Sequence, residues 1–151
     1  MNNKVMFSSD DMTWETPQDT FDKLDTEFGF TLDVCATEAT AKCKKYYTPQ
    51  IDGLSQEWKG ICWMNPPYGR QISLWLEKAY TESLNGATVV CLIPARTDTR
   101  YWHNYCMKAS EIRFIKGRLK FGDAVNSAPF PNAIIVFDKD NGNLKVSGYE
   151  V

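Results

Sequence analysis

Helical and strand-like apolar spacing alternate along the chain. The segment TPQDTFDKLDTEFG places its apolar residues on one helical face, with Thr16 as N-cap, Pro17 at the first helical position and Gly29 as the stop. Residues 71–86 keep helical spacing up to an Asn-Gly stop, and a further helix is predicted from about residue 98 to residue 108. Three helices are therefore expected, with strands between them.

Continuous apolar runs between these helices predict β-strands. The clearest is ATVVCLIP, residues 87–94, whose β-branched character is typical of a central parallel strand covered on both faces. Further strands are predicted at residues 30–35, 46–47, 61–64, 111–115 and 132–138. A turn at residues 140–142 predicts a terminal hairpin. Together these elements predict an open α/β sheet, mostly parallel with an antiparallel edge hairpin.

Composition places the chain among single-domain globular proteins. At 151 residues, 43% of them hydrophobic and 24% charged, one domain over residues 1–151 is expected. The five cysteines are odd in number and include no closely spaced pair, which favours reduced, mostly buried thiols over a disulfide framework or zinc site. No stretch has the pattern of a signal peptide or a membrane span. We therefore expect a cytoplasmic protein with no metal site, and a monomer is favoured.

The net charge of −2 hides an uneven distribution. Residues 8–27 carry seven acids and one Lys, whereas residues 108–120 carry five basic residues and one Glu. A basic run is often only a solvated face. The asymmetry therefore permits an anionic partner without requiring one.

Polar residues follow three of the predicted strands, at residues 33–36, 65–68 and 94–96. In open α/β sheets, ligands bind beyond the carboxyl ends of the strands. We therefore expect these three points to lie along one edge of the sheet.

The tetrapeptide NPPY, residues 65–68, is the most informative of the three. Asn65 and Pro66 each precede a proline and are held extended, and neither proline has an N–H. What remains is acceptors: the Asn65 side-chain oxygen and the backbone carbonyls. Two rigid acceptors that take the hydrogens of a planar amino group would localise its lone pair for attack on an electrophilic carbon. Tyr68 could stack on the ring that carries the amino group. A plain loop stop or a ligand of a proline-reading domain is the alternative interpretation.

These residues also carry a resemblance to a known family. NPPY resembles the catalytic motif of amino-group methyltransferases that use S-adenosylmethionine. The wider pattern resembles the phage-type DNA N-6-adenine methyltransferases, the Dam family of bacteriophages and prophages, in WETP, TLDVCA, KYYT, IDGL, NPPYG, LIPARTDT and GRLKFG. The resemblance covers residues 14–137 and implies a Rossmann-like S-adenosylmethionine-dependent sheet in a phage- or prophage-encoded enzyme of the bacterial cytoplasm. One departure is VCATEAT, which holds no glycine where amino methyltransferases in general have a Gly-rich loop.

The resemblance implies roles for individual residues. Asn65, Pro66, Pro67 and Tyr68 would be catalytic. Asp33 would bind the amine of the cofactor's methionine part, with turn capping as the alternative, and N–H groups at the helix start near Thr16 suit the cofactor carboxylate. The expected cofactor-binding residues are Trp14, Thr16, Pro17, Asp33, Cys35, Ala36, Asp52 and Leu54. Trp14 has an equally good interpretation as a core residue.

A DNA substrate implies that the adenine is flipped out of what we expect to be double-stranded DNA. Four cations are candidates for contacts with phosphates or bases, although each could be a plain surface charge: Arg96, Arg100, Arg118 and Lys120. Phe121 and Phe130 are predicted to be core residues rather than wedges. No separate target-recognition domain is expected, so recognition falls to residues 37–60 and 116–132, with a short recognition sequence or weak selectivity.

Other functions are compatible with the same pair of rigid acceptors at NPPY, which we call the acceptor clamp. The acceptor could be the N-4 amino group of cytosine, a base in RNA or a glutamine side chain of a protein. The chain could also be a catalytically silent DNA-binding module that keeps the fold. The intact NPPY motif and Asp33 count against the silent module, and the missing glycine loop counts against RNA and protein acceptors.

Overall fold

A six-stranded β-sheet organises the protein, as described for residues 14–122 and 126–151 by a computed structural model. The strands are β1 Leu32–Asp33, β2 Ile61–Met64, β3 Thr88–Pro94, β4 Glu111–Ile115, β5 Asn132–Phe137 and β6 Lys145–Tyr149. The helices are α1 Gln18–Phe28, α2 Ile72–Leu84 and α3 Arg100–Asn104, with 3-10 turns at Gly53–Ser55 and Cys106–Lys108.

The strands are arranged in the order β1-β2-β3-β5-β4-β6. β1, β2 and β3 are parallel neighbours, and β4 pairs in parallel with β6. β5 lies between β3 and β4 and is antiparallel to both. Every residue of β5 and all of β3 except Thr88 are buried, which confirms the prediction of a central strand at residues 87–94. The sheet is α/β and mostly parallel, which is compatible with a methyltransferase fold.

The predicted terminal hairpin is wrong. The turn itself forms, since Asn141 donates its backbone N–H to Asp138 and Gly142 has a φ of 92°. The chain after it does not pair with β5, because both edges of β5 are already taken by β3 and β4. It crosses to the free edge of β4 and runs parallel to that strand. The antiparallel strand is therefore internal to the sheet, not at its edge.

The predicted bounds of α1 need one correction. The N-cap is Pro17 rather than Thr16, and no side chain caps the helix start. The predicted stop is confirmed, since Gly29 has a φ of 72° and donates its N–H to the carbonyl of Asp25. The Thr16 side chain is buried and does not cap the helix. Its hydroxyl oxygen accepts a hydrogen bond from Asn65 instead.

Three other elements differ from their predicted lengths. β1 has only two residues instead of six, and the strand predicted at 46–47 is a single bridge between Asp33 and Tyr46. α3 ends at Asn104, and the chain continues through Tyr105 into a 3-10 turn instead of completing one helix to residue 108. α2 matches its predicted span closely.

The core is contiguous across the sheet, and aromatic residues contribute much of it. Trp63 of β2 is buried, and its ring meets that of Phe21 edge-on with centroids 5.5 Å apart, which joins α1 to the sheet. α2 contributes Leu76 and Ala79, both fully buried. Among the described residues, no helix is long and apolar enough to cross a membrane.

Candidate functional site

The three polar points predicted at strand ends lie along one edge. β1, β2 and β3 are adjacent and parallel, with Asp33 paired to Trp63 and Met64 paired to Cys91. Their carboxyl ends therefore lead side by side into residues 34–36, 65–68 and 95–96. This arrangement confirms the prediction of a shared edge.

The orientation of the Asn65 side-chain amide is fixed by two hydrogen bonds that its nitrogen donates. Nδ2 donates to the backbone carbonyl of Trp14 and, at 2.9 Å, to the hydroxyl oxygen of Thr16. Oδ1 is buried and has no hydrogen-bond partner among residues 14–122 and 126–151. A buried acceptor without a partner costs about 1–3 kcal/mol, so Oδ1 is a candidate acceptor for a donor from a ligand. Pro66, the next residue, is also buried.

Tyr68 is packed inside an aromatic cluster formed by Trp14, Tyr68, Phe121 and Phe130. Only 8% of Tyr68 is exposed, and its hydroxyl donates to the carbonyl of Leu92 at 3.0 Å. Trp14 stacks on its ring with centroids 6.4 Å apart, while Phe121 and Phe130 meet the ring edge-on. Burial raises the pKa of Tyr68 well above its ordinary value, so the hydroxyl stays protonated. Phe121 and Phe130 are buried, which confirms the prediction that they are core residues.

A cavity of about 390 Å³ lies beside the NPPY segment. Its wall combines the end of β1, residues 47–54, and the start of the path into α2. The lining residues are Cys35, Ala36, Tyr47, Thr48, Pro49, Asp52, Gly53, Leu54, Pro67, Gln71 and Trp75. Four of the predicted cofactor residues line it: Cys35, Ala36, Asp52 and Leu54. Pro67 joins this cavity to the NPPY segment, and the volume is in the range of small-molecule sites.

The backbone at Asp52 and Gly53 is specialised for this cavity. Asp52 has a φ of 62°, the only positive φ of a residue other than glycine in the described part of the chain. A Cβ on Gly53 would come within 2.2 Å of the Val34 carbonyl oxygen and 3.2 Å of the Trp75 ring. The cavity wall therefore depends on a close approach that only glycine permits.

Two tryptophans support the same wall. The resemblance included Trp58 and the helix that carries Trp75, but the sequence interpretation assigned neither side chain a role. Trp58 stacks on Trp75 with centroids 6.1 Å apart and donates its Nε1–H to the carbonyl of Gly53 at 2.8 Å. Trp75 is buried, and its Nε1 lacks a partner within the described ranges. The IDGL motif indicated that residues 51–54 belong to the site, but only the fold shows that α2 packs against them.

Asp33 does not line the cavity and is 2% exposed. Its Oδ1 accepts the backbone N–H of Cys35 at 3.2 Å, and its Oδ2 accepts that of Lys42 at 3.0 Å. Burial raises the pKa of Asp33 to about 6, against these two hydrogen bonds and the Lys42 charge, which lower it. The turn-capping contacts of the alternative interpretation are thus present. Each oxygen keeps a second acceptor position, and the role in cofactor binding stays a prediction.

Trp14, Thr16 and Pro17 do not line the cavity. Trp14 and Thr16 contact Asn65 instead, and Pro17 accepts the Phe21 N–H as the first hydrogen bond of α1. One first-turn donor, the N–H of Thr20, is taken by the Asp19 side chain at 2.8 Å. The structure therefore separates the predicted cofactor residues into the four that line the cavity, the segment from Trp14 to Pro17 beside Asn65, and Asp33, which belongs to neither group.

The four predicted DNA-binding cations are exposed: Arg96, Arg100, Arg118 and Lys120. Within the described chain none of them forms an ion pair. The Arg96 guanidinium lies 5.6 Å from the centroid of the Phe130 ring, which places it at the aromatic cluster. Arg70, two residues after Tyr68, is a further exposed cation that the sequence interpretation missed.

Arg113 differs from its neighbours in the basic segment. It is 8% exposed, bonds Glu27 at 2.7 Å through Nη1, and pairs with Glu111 at 2.8 Å. The Arg113 hydrogen bond lowers the pKa of Glu27. This residue ties α1 to β4 and is unavailable to DNA. Among the described residues, no group of His, Cys, Asp and Glu is arranged to hold a metal ion.

Comparison with known proteins agrees with this geometry. A sequence model of the family described as DNA N-6-adenine-methyltransferase (Dam) matches residues 3–144. A protein of Haemophilus phage HP1 (strain HP1c1) named DNA N-6-adenine-methyltransferase is 32% identical, over 92% of this chain and 87% of that protein. A protein of the same name from Escherichia phage T1 is 28% identical, over 70% of this chain and 45% of that protein. The chain therefore belongs to the DNA N-6-adenine-methyltransferase (Dam) family.

Proposed function

We propose that this protein transfers the methyl group of S-adenosylmethionine to the N-6 amino group of adenine in DNA. Family membership and the names of both phage relatives support adenine N-6 over the other amino acceptors. The observation that carries the proposal is the buried Oδ1 of Asn65, oriented by its own amide nitrogen and lacking a described partner. It lies at the strand end next to the cavity that Pro67 helps to line.

The acceptor clamp would work through two oxygens. Asn65 Oδ1 accepts one hydrogen of the adenine amine, and the carbonyl of Pro66 accepts the other. The amine nitrogen is normally flat because its lone pair is delocalised into the ring. Two acceptors fixed below the plane favour a tetrahedral nitrogen and direct the lone pair outward. Fixed dipoles of this kind stabilise developing charge without reorganisation during the reaction.

The cavity residues fit the cofactor chemically. Asp52 offers a carboxylate to hydroxyl or amino groups, Thr48 offers a hydroxyl, and Trp75 offers a buried N–H that lacks a described partner. Tyr47 and Leu54 supply flat and apolar surface for a purine. When bound, S-adenosylmethionine supplies a methyl carbon on a positively charged sulfur.

Methyl transfer requires no strong base from the chain. The adenine nitrogen forms a bond to the methyl carbon, the carbon–sulfur electron pair stays on sulfur, and S-adenosylhomocysteine is left. The nitrogen then loses one of its protons to solvent water. Asn65 cannot take up this proton, so its part is to orient the amine and to stabilise the positive charge that develops on the nitrogen.

DNA is proposed to bind in front of the aromatic cluster. The adenine is flipped from a double strand, because a stacked base cannot reach a clamp at a strand end. Arg96, Arg100, Arg118 and Lys120 would hold phosphates or bases of the opened site. Recognition is assigned to residues 37–60 and 116–132, within a single domain and a monomer. The reaction would take place in the bacterial cytoplasm.

A transfer assay tests the substrate class. The protein is incubated with labelled S-adenosylmethionine and, in parallel, with unmethylated double-stranded DNA, single-stranded DNA, RNA or bacterial protein extract. Label in double-stranded DNA is expected. Label in RNA or protein with none in DNA would contradict the proposal.

A further inference from the structure

Both hydrogens of the Asn65 amide are used inside the protein. One goes to the backbone carbonyl of Trp14 and the other to the hydroxyl oxygen of Thr16 at 2.9 Å. Thr16 is 3% exposed, so this contact is shielded from water. Neither residue lines the cavity, and Thr16 does not cap α1. Their polar groups therefore serve Asn65.

The chemistry of these partners fixes which atom of the Asn65 amide is left without a partner. A backbone carbonyl can only accept a hydrogen bond, so the group of Asn65 that faces Trp14 must be the NH2. Rotating the amide by half a turn would set Oδ1 against the Trp14 carbonyl and leave two acceptors facing each other. The remaining Oδ1 is the atom with no described partner.

We propose that the Thr16 hydroxyl and the Trp14 carbonyl are positioning groups that lock the Asn65 amide with its oxygen toward the substrate amine. This inference rests on the proposed function. An unlocked amide would sample the reversed orientation, in which its NH2 opposes the hydrogens of the substrate amine. The lock removes that unproductive state before the base arrives.

The segment that carries the lock is held from two sides. The Glu15 carbonyl accepts the N–H of Gly122 at 2.9 Å, and the Glu15 carboxylate lies 3.7 Å from the Lys42 ammonium. Lys42 also donates to Gln18 at 2.9 Å. Residues 14–18 are therefore attached both to the loop between β4 and β5, at Gly122, and to the loop after β1, at Lys42. These attachments keep Trp14 and Thr16 in place beside Asn65.

The first test compares Thr16→Val with Thr16→Ser. Valine keeps the shape and removes the acceptor, whereas serine keeps the hydroxyl. We expect Thr16→Val to lower kcat about ten-fold, the size of one missing hydrogen bond, with KM for DNA and cofactor affinity within about two-fold of wild type. Thr16→Ser should stay within about two-fold of the wild-type kcat. Full activity of Thr16→Val, or an equal loss in both variants, would overturn the lock.

The second test is Asn65→Asp and remains decisive if Thr16→Val does not fold. A carboxylate at this position faces the Trp14 carbonyl with an oxygen that has no hydrogen. Only the protonated carboxyl can donate to Trp14 and keep its other oxygen free. The rate relative to wild type, at saturating cofactor, should therefore rise as the pH is lowered from about 8 to about 6. A ratio that does not change with pH would overturn the lock, whereas a wild-type protein that methylates no DNA would overturn the proposed function instead.

Discussion

Trp14 lies face to face with Tyr68, with ring centroids 6.4 Å apart and planes inclined by 22°. The Trp14 side chain therefore covers the face of the Tyr68 ring on which a flipped adenine would stack under the proposed function. Trp14 also meets Phe121 and Phe130 edge-on, at 5.4 Å and 5.2 Å. Under the proposed function, the base reaches the Tyr68 ring only if the Trp14 side chain moves while its backbone carbonyl stays on Asn65. The Tyr68 ring itself is anchored through its hydroxyl.

The hydroxyl and the ring of Tyr68 should have different effects when each is removed by substitution. Tyr68→Phe removes the hydrogen bond to Leu92 and should cost about 1 kcal/mol of unfolding free energy, while methyl transfer is largely retained. Tyr68→Ala removes the ring and should abolish transfer, because the base loses its stacking surface. Denaturant unfolding and a transfer assay on both variants check this. Loss of transfer in Tyr68→Phe would assign the role to the hydroxyl.

Asp33 should make cofactor binding depend on pH. Its pKa is raised to about 6 by burial, so the charged form predominates above that pH and the neutral form below it. An ion pair with the cofactor amine needs the charged form, so affinity should fall as the pH is lowered through about 6. Asp33→Asn should bind weakly at high pH and show a flat profile. Calorimetric titration over this pH range measures both, and an identical profile in wild type and variant would remove Asp33 from the site.

Gly53 should be intolerant of a side chain. In Gly53→Ala the new Cβ would meet the Val34 carbonyl at 2.2 Å, so the cavity wall must shift. We expect cofactor affinity to fall roughly ten-fold or more, with some loss of stability. Gly148→Ala is the matched control, because a Cβ at this position on the exposed strand β6 would have no neighbouring atom within 4 Å among the described residues. Equal affinities in the two variants would show that the cofactor binds elsewhere.

The basic residues should act through phosphates. Replacing Arg118 by Ala should lower the slope of log affinity against log salt by about 0.9 for each phosphate that Arg118 neutralises. Lys59→Ala is the control, because Lys59 lies at the amino end of β2, away from the site edge, and pairs with Glu57 at 3.4 Å. DNA binding measured at several salt concentrations gives both slopes. A similar change in both variants would make Arg118 an ordinary surface charge.

Local patterns were sufficient to predict several elements around the NPPY segment. The apolar run of β3, the helical spacing of α2 and the end of β2 just before the prolines of NPPY each depend on neighbouring residues, and each was predicted correctly. The pairing of β6 was not, because a turn at residues 140–142 does not specify which strand edge is free. That depends on the positions of all the other strands.

Long-range contacts explain what the sequence did not reveal about the site. The bond from Asn65 to Thr16 spans 49 positions, and Thr16 instead had a plausible local use as a helix cap. Trp75 reaches the cavity only because α2 packs beside residues 53–55. The sequence singled out Asn65 and Thr16 as candidate site residues, but only the folded chain shows that they are hydrogen-bond partners.

The central claim is most directly tested by identifying the modified nucleoside. Unmethylated double-stranded DNA is incubated with S-adenosylmethionine and either wild-type protein or Asn65→Ala, then digested and analysed by mass spectrometry. The account predicts N-6-methyladenine with the wild type and none with Asn65→Ala, while both proteins bind the cofactor with similar affinity. Methylated cytosine, or equal amounts of N-6-methyladenine with both proteins, would contradict it.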